Sequence, residues 1–224
     1  MNDAQVLKVI ARIESDFPTK FGIPRQSGLA PSLSAKIVFE HDFNFPEALF
    51  GLENFSHIWL VWGFSEAVQE SWSPTVRPPR LGGNRKVGVF ATRSPFRPNS
   101  LGLSAVKIEK IENGEIFITG ADLMNGTPIY DIKPYLPAVD AISSATDLFD
   151  KIAVKRPLKV MISDEFAAKI PAEKLEPLKE ILSLDPRPAY QNDPARIYGF
   201  QFATHEIKFK VEENILTVIS VEKI

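Results

Sequence analysis

Along the first 140 residues, apolar and polar positions change over too quickly for helices. Residues 6–13 and 35–40 alternate or run apolar, and residues 57–64 (HIWLVWGF) form one continuous apolar stretch. Branched and aromatic side chains suit a pleated strand, and an unbroken run of them predicts a strand buried on both faces. Further short strands are predicted over 86–92, 103–111, 115–123 and 129–133. Asn113-Gly114, between the runs 103–111 and 115–123, suits a two-residue hairpin turn because both residue types accept positive φ. The only helical pattern is one short turn over 45–52. Many short strands at this spacing predict a barrel or a sandwich.

The pattern changes after residue 140. Residues 138–155, including AISSATDLFD, are polar with little strand signal and are expected to form a linker. A strand is predicted over 157–162, and Ser163 is placed to cap a helix over 164–169. Leu175, Leu178, Ile181 and Leu182 recur at helical spacing within 171–184, which predicts an amphipathic helix. Three strands follow over 196–203, 206–211 and 215–221. The expected fold class is mainly β: a β unit over 1–140, a linker over 141–155 and a small α+β unit over 156–224.

Composition narrows the chemistry. With 224 residues, 44% of them hydrophobic and 24% charged, the chain is long enough to bury a real core. It has no cysteine, so disulfides, thiolate metal sites and cysteine nucleophiles are excluded. Asp3, Lys8, Arg12, Glu14 and Asp16 leave no room for a secretory leader core. The longest uncharged apolar run, 55–64, falls far short of the roughly 20 residues that cross a bilayer. A soluble, cytoplasmic protein without a membrane segment is expected. No GxGxxG follows a strand, and no P-loop, HExxH or GxSxG occurs, so a Rossmann cofactor domain is not expected. His41, His57 and His205 have no metal-ligand spacing, so no metal is expected.

Charge is segregated. Residues 71–108 contain no acidic side chain but seven basic ones, Arg77, Arg80, Arg85, Lys86, Arg93, Arg97 and Lys107. The rest of the chain then holds 19 basic groups against 28 acidic ones. Pro74, Pro78, Pro79, Pro95 and Pro98 stiffen the segment, and Gly82-Gly83 permits close backbone approach. Two readings stand: a solvated loop, or a surface for a phosphate-bearing partner. Arginine forks suit phosphate, and the interspersed Trp72, Phe90 and Phe96 favour a grip on single-stranded or looped RNA. A second polar run, 122–135, gathers Asp122, Asn125, Tyr130, Asp131, Lys133 and Tyr135 around a turn. It is either a well-capped turn or a clamp that orients an exocyclic amine between an acceptor and an aromatic ring.

Several segments together resemble one family. Phe21-Gly-Ile-Pro-Arg-Gln26, Gly51-Leu-Glu-Asn-Phe-Ser-His-Ile-Trp59, Arg77-Pro-Pro-Arg-Leu-Gly-Gly83, Gly88-Val-Phe-Ala-Thr-Arg-Ser94, Phe96-Arg-Pro-Asn99 and Asp131-Ile-Lys-Pro-Tyr-Leu-Pro137 resemble, in order, the motifs of the TsaA-like family, also called YaeB or TrmO. Asp185-Pro-Arg-Pro-Ala-Tyr190 is similar to the C-terminal unit of its bacterial members. The resemblance implies a non-Rossmann β-barrel that binds S-adenosylmethionine. It also implies a homodimer that methylates N6 of N6-threonylcarbamoyladenosine beside the tRNA anticodon, at position 37. Carried over by motif, the cofactor residues would be Arg25, Gln26, Ser27, Ser65, Glu66, Arg93, Leu103 and the run Asp122, Leu123, Met124 and Asn125. Asn125 stands where the family pattern carries Asp, and Ser65-Glu66 occupies a variable stretch. Arg77, Arg80, Arg85, Lys86 and Arg97 would meet tRNA. The N6 lone pair of a carbamoylated adenosine is delocalised, so a proton acceptor would help; Asp131 and Tyr130 are the candidates. They alternate on one strand, so only one is expected to face the pocket. The competing functions are a non-catalytic RNA-binding module and a regulatory barrel that binds S-adenosylmethionine.

Overall fold

The computed structural model describes residues 5–66, 71–78, 85–146, 157–188, 191 and 193–224. In chain order, the strands of the first part are β1 (Ala11–Glu14), β2 (Ser34–Phe39), β3 (His57–Gly63), β4 (Thr75–Val76), β5 (Val87–Gly88), β6 (Leu101–Glu112), β7 (Glu115–Thr119) and β8 (Pro128–Pro134). Six of them close into a barrel ordered β1-β2-β7-β6-β3-β8, with every neighbouring pair antiparallel. Closure leaves no exposed sheet edge, which lets strands this short be stable. β4 and β5 pair only with each other. Asn113 (φ 54°) and Gly114 (φ 77°) make the turn between β6 and β7, as their residue types predict.

β3 corrects the expectation of burial on both faces. Ile58, Leu60 and Trp62 fill the barrel interior, while His57, Trp59 and Val61 face outward. The outward Trp59 ring packs against Tyr135, with centroids 5.4 Å apart, and its Nε1 donates to Asp140 Oδ2 at 2.9 Å. An apolar outer face with partners from a distant part of the chain gives the same sequence signature as two-sided burial.

Other boundaries moved for local reasons. β1 begins only at Ala11, opposite Phe39, because β2 ends there and the chain turns into the 3-10 turn His41–Phe43. Residues 86–92 hold only the two-residue β5, followed by the 3-10 turn Val89–Ala91. The run 115–123 stops at Thr119 because Gly120 has φ 78°, and the helical turn over 45–52 resolves into 3-10 turns Pro46–Leu49 and Leu52–Asn54.

Beyond the barrel come α1 (Pro137–Asp140), β9 (Lys159–Met161), α2 (Asp164–Ala167), α3 (Ala172–Ser183), β10 (Tyr198–Phe202), β11 (His205–Glu212) and β12 (Ile215–Lys223). Ser163 Oγ caps α2 by accepting from Phe166 N at 3.3 Å. The sheet order is β10-β11-β12-β9, with β9 parallel to β12. α3 adds Leu178, Ile181 and Leu182 to the core of this unit. At the end of α3, the buried Arg187 forks onto Asp185 at 2.7 and 2.9 Å; Ala189 and Tyr190 of that motif lie outside the described residues. The start of the expected linker is anchored, since Asp140 Oδ2 also accepts from Leu136 N at 2.8 Å. Residues 147–155 lie outside the described residues.

The C-terminal core is not built from C-terminal residues alone. Phe17, Ala30 and Leu33, from the β1–β2 connection over 15–33, belong to it. The same connection is fastened by Lys174 Nζ to Asp16 Oδ2 at 2.5 Å, by Ser32 Oγ to Glu180 Oε2 at 2.7 Å and by Ala203 N to Asp16 O at 2.7 Å. Gly22 lies flat on the Phe200 ring, where a Cβ would come within 2.3 Å. A segment that joins two barrel strands therefore packs into the C-terminal core.

Candidate active site

Gly120 positions the site. Its N donates to Leu33 O at 2.9 Å, and its carbonyl accepts from Gly28 N at 2.8 Å. These bonds staple the 15–33 connection to the turn after β7 and bring the Ser27 amide onto the Asp122 carboxylate. On its other side, Asp122 Oδ1 accepts from Ser104 Oγ at 2.6 Å, and Ser104 Oγ accepts from Trp62 Nε1 at 2.9 Å. Ser104 is a buried hydroxyl on the inward face of β6, and such a group is tolerated only when it is bonded. Burial pushes the Asp122 carboxyl above its ordinary pKa, opposed by Ser104, by the Asp122 and Ser27 amides and by the Arg93 charge.

Above this carboxylate opens a cavity of about 860 Å³, a volume suited to a small organic ligand. One wall is the 15–33 connection with Lys20, Pro24, Arg25 and Gln26. The facing wall carries Phe90, Arg93, Phe96 and Arg97. The Trp62 and Phe64 rings, with centroids 4.3 Å apart, lie at its base with Gly102 and Met124. A Cβ on Gly102 would sit 2.2 Å from Trp62 Cε2, so the indole occupies this place only because residue 102 has no side chain. Arg93 Nη1 donates to Gln26 Oε1, joining the two walls.

Of the residues expected to hold the cofactor, Arg25, Gln26, Ser65, Glu66, Arg93, Leu103, Asp122 and Met124 line the cavity. Ser27 does not line it, and its amide instead meets the Asp122 carboxylate. Leu123 lies instead in the barrel core. Asn125 Oδ1 accepts from Ser15 N at 3.1 Å and its N donates to Phe17 O at 2.9 Å; there the amide oxygen does the accepting that a carboxylate would do.

Tyr130 and Asp131 are not brought into the cavity. β8 pairs Asp131 with Val61 but Ile129 with Trp62, so Tyr130 is the extra residue of a β-bulge. The bulge breaks the expected alternation at this pair. The Tyr130 ring covers Gly63, where a Cβ would be 2.5 Å from its hydroxyl. Asp131 pairs with Lys133 Nζ at 2.8 Å and accepts from Ile132 N at 2.9 Å.

Among the expected RNA-binding residues, Arg77, Arg85 and Lys86 are exposed beside the β4–β5 pair, and Arg97 lines the cavity. Arg80 lies outside the described residues. Lys20, Trp62, Phe64, Gly102 and Ser104 carried no motif of their own. Ser104 had one readable signal: it is a lone hydroxyl on the apolar phase of an alternating strand. Among the described residues, no group of three or more His, Cys, Asp or Glu could hold a metal ion, and no helix is long and apolar enough to cross a membrane.

Residues 12–141 match the family described as the tRNA-methyltransferase O N-terminal domain, and residues 155–224 match the TrmO C-terminal domain. The chain is 46% identical over 172 residues to a tRNA (adenine(37)-N6)-methyltransferase of Eikenella corrodens, covering 75% of this chain and 97% of that one. It is 42% identical over 200 residues to a putative S-adenosylmethionine-dependent methyltransferase of Pseudomonas aeruginosa, covering 85% of each. Its fold matches a crystal structure of TrmO from Pseudomonas aeruginosa with a TM-score of 0.80 at 31% identity, covering 97% of this chain and 98% of that one. The closed antiparallel barrel, shared with relatives described as methyltransferases, sets this chain among methyltransferases built on a β-barrel. This chain belongs to the TrmO family.

Proposed function

We propose that this protein is a S-adenosylmethionine-dependent tRNA methyltransferase that methylates N6 of N6-threonylcarbamoyladenosine at position 37, beside the anticodon. The observation that carries the reading is the Asp122 carboxylate, braced by Ser104 at 2.6 Å beneath a cavity of about 860 Å³. A carboxylate pushed up by burial is restored to its charged form by a cationic ligand, and the aromatic pair Trp62–Phe64 beside it suits a nucleoside. The cavity therefore fits S-adenosylmethionine, which carries a sulfonium, an ammonium and an adenine; bound there, it supplies the methyl group for an in-line displacement.

The chain's own residues do the alignment. Asp122 faces the cationic part of the ligand, with Ser104 and the Ser27 amide fixing its orientation. Arg25 and Gln26 on one wall meet Arg93 from the other, Leu103 and Met124 pack the apolar part, and Ser65 and Glu66 border the opening. Lys20 and Arg25 side chains have no hydrogen-bond or ion-pair partner among the described residues, which leaves them available to carboxylate and phosphate groups. Arg77, Arg80, Arg85, Lys86 and Arg97 receive the tRNA backbone. The barrel and C-terminal units divide at 1–140 and 156–224, with 141–155 between them, and the two family matches support that division. The family resemblance supports a cytoplasmic homodimer, and exposed Leu136, Val139 and Ile142 offer a second copy an apolar surface; sedimentation of the purified protein tests the dimer.

The decisive experiment incubates the protein with S-adenosylmethionine and tRNA carrying N6-threonylcarbamoyladenosine, followed by mass spectrometry of the nucleosides. The expected result is a threonylcarbamoyladenosine heavier by one methyl. Cofactor binding without that product leaves a regulatory barrel, and tRNA binding without cofactor binding leaves an RNA module.

A further inference from the structure

The cavity mouth is bordered by aromatic rings that the fold leaves in solvent. Phe90 is 71% exposed, Trp72 48% and Phe96 44%. Phe90 and Trp72 stand with centroids 6.0 Å apart and planes inclined at 35°, and the Arg97 guanidinium lies 5.9 Å from the Phe90 centroid. This is a built surface. Val89, next to Phe90, is buried, and its N donates to Pro74 O at 3.0 Å. Thr92 N and Oγ1 both donate to Val89 O, at 3.1 and 2.8 Å, while Arg97 Nη1 is held by Thr92 O at 3.1 Å. The segment thus fixes Phe90 outward and Arg97 against it.

We propose that Phe90, backed by Trp72 and Arg97, is a stacking platform for a nucleotide flanking the methylated adenosine. The proposal rests on the reading of the cavity as the adenosine site and deepens it by naming how the neighbouring strand is held. Phe90 is too exposed to enclose a base, whereas the target must reach the floor beside Asp122. The occupant is single-stranded RNA by charge as well as by shape. Arg77, Arg85 and Lys86 are exposed around the platform, and residues 71–108 contain no acid to repel phosphate. Unstacked loop bases offer flat faces to aromatic rings and guanidinium planes.

The test uses the whole protein with tRNA bearing 2-aminopurine beside the target. Wild type should quench this probe by stacking. Phe90→Ala should abolish the quenching and raise the tRNA Kd on the order of tenfold, the scale of one lost base–aromatic stack. The slope of log Kd against log salt should stay at the wild-type value, because no phosphate contact is removed. S-adenosylmethionine affinity should fall far less than tRNA affinity, because the 71% exposed Phe90 gives the cavity only part of one wall, and Phe90→Tyr should restore both quenching and Kd. An unchanged Kd, full restoration by Phe90→Leu, or a parallel loss of cofactor affinity would each overturn the platform. Wild type that methylates tRNA while Phe90→Ala matches it in Kd sinks the platform alone. Wild type that neither binds nor methylates tRNA sinks the platform and the proposed function together.

Discussion

Asp122 and Asp131 belong to one polar run of the chain, yet the barrel gives them opposite surroundings. Asp122 follows the break at Gly120 and meets a buried hydroxyl, two amides and the field of Arg93. Asp131 sits on β8 against Lys133 and its own backbone, with its side chain 46% exposed. A half-exposed ion pair of that kind contributes about 0–1 kcal/mol. The Asp122 arrangement costs desolvation that folding alone does not require, and such a cost marks a ligand site more strongly than a cluster of turn-forming residues does. Four substitutions break or sharpen this contrast.

The largest effect is expected from Gly102→Ala. The added Cβ, 2.2 Å from Trp62 Cε2, forces the indole out of the cavity floor and breaks the Trp62–Ser104 bond that supports Asp122. Overpacking and the lost bond together amount to about 3 kcal/mol, shared between folding and cofactor affinity. Calorimetry and thermal melting on the same variant measure the two parts. A variant that binds S-adenosylmethionine normally would show that the Trp62–Ser104–Asp122 chain does not shape the pocket.

Asp122→Asn should weaken cofactor binding by about 2 kcal/mol, the scale of a lost bond to a charged group, and should also change its pH dependence. Burial holds the free carboxyl above its ordinary value, and a cationic ligand favours the charged form. Cofactor affinity therefore rises with pH through the raised value of the free protein and falls below it. For the free protein the sign is opposite. A carboxyl raised by folding makes stability fall as pH climbs from the unfolded value through the folded one. The Asn variant should lose both slopes and be at least as stable as wild type at neutral pH without ligand. A retained pH slope in its binding would move the titration to another group.

Arg93→Ala tests the bridge between the cavity walls. It removes the bond to Gln26 and a charge that favours ionised Asp122. Cofactor affinity should drop by up to about 2 kcal/mol. The melting temperature should change little, since Arg93 is exposed on a loop. Unchanged affinity would remove this segment from the pocket.

Local chemistry made part of this legible. Asn113-Gly114 announced its hairpin, Ser163 its cap, and Leu178, Ile181 and Leu182 the buried face of α3. Those features depend on neighbours within a few residues. The outward Trp59 was misread because its partners, Tyr135 and Asp140, lie far along the chain. The role of the 15–33 connection was hidden for the same reason: Phe17 packs on Phe202 with centroids 5.7 Å apart, and nothing near Phe17 in sequence signals it. At the site, Arg25, Gln26 and Arg93 came from motif resemblance, because their meeting across a cavity leaves no spacing to read. The bulge that carries Tyr130 out of alternation depends on how β8 pairs with β3, which neither strand shows alone.

The smallest effect is expected where turn chemistry pointed most directly. Asp131→Asn should leave turnover on tRNA within a few-fold of wild type. The Asp131 carboxylate is occupied by Lys133 at 2.8 Å and the Ile132 amide at 2.9 Å, and it does not line the cavity. The amide oxygen can still accept from Ile132 N, so only the exposed ion pair is lost and the melting temperature should fall slightly. A general base at this position would instead show a 10²–10⁴-fold loss of kcat with stability unchanged. Measuring kcat and melting temperature on one preparation separates the two. A stable Asp131→Asn protein with turnover cut by about a hundredfold would mean that tRNA binding draws the outer face of β8 into the chemistry, and the contrast with Asp122 would then fail.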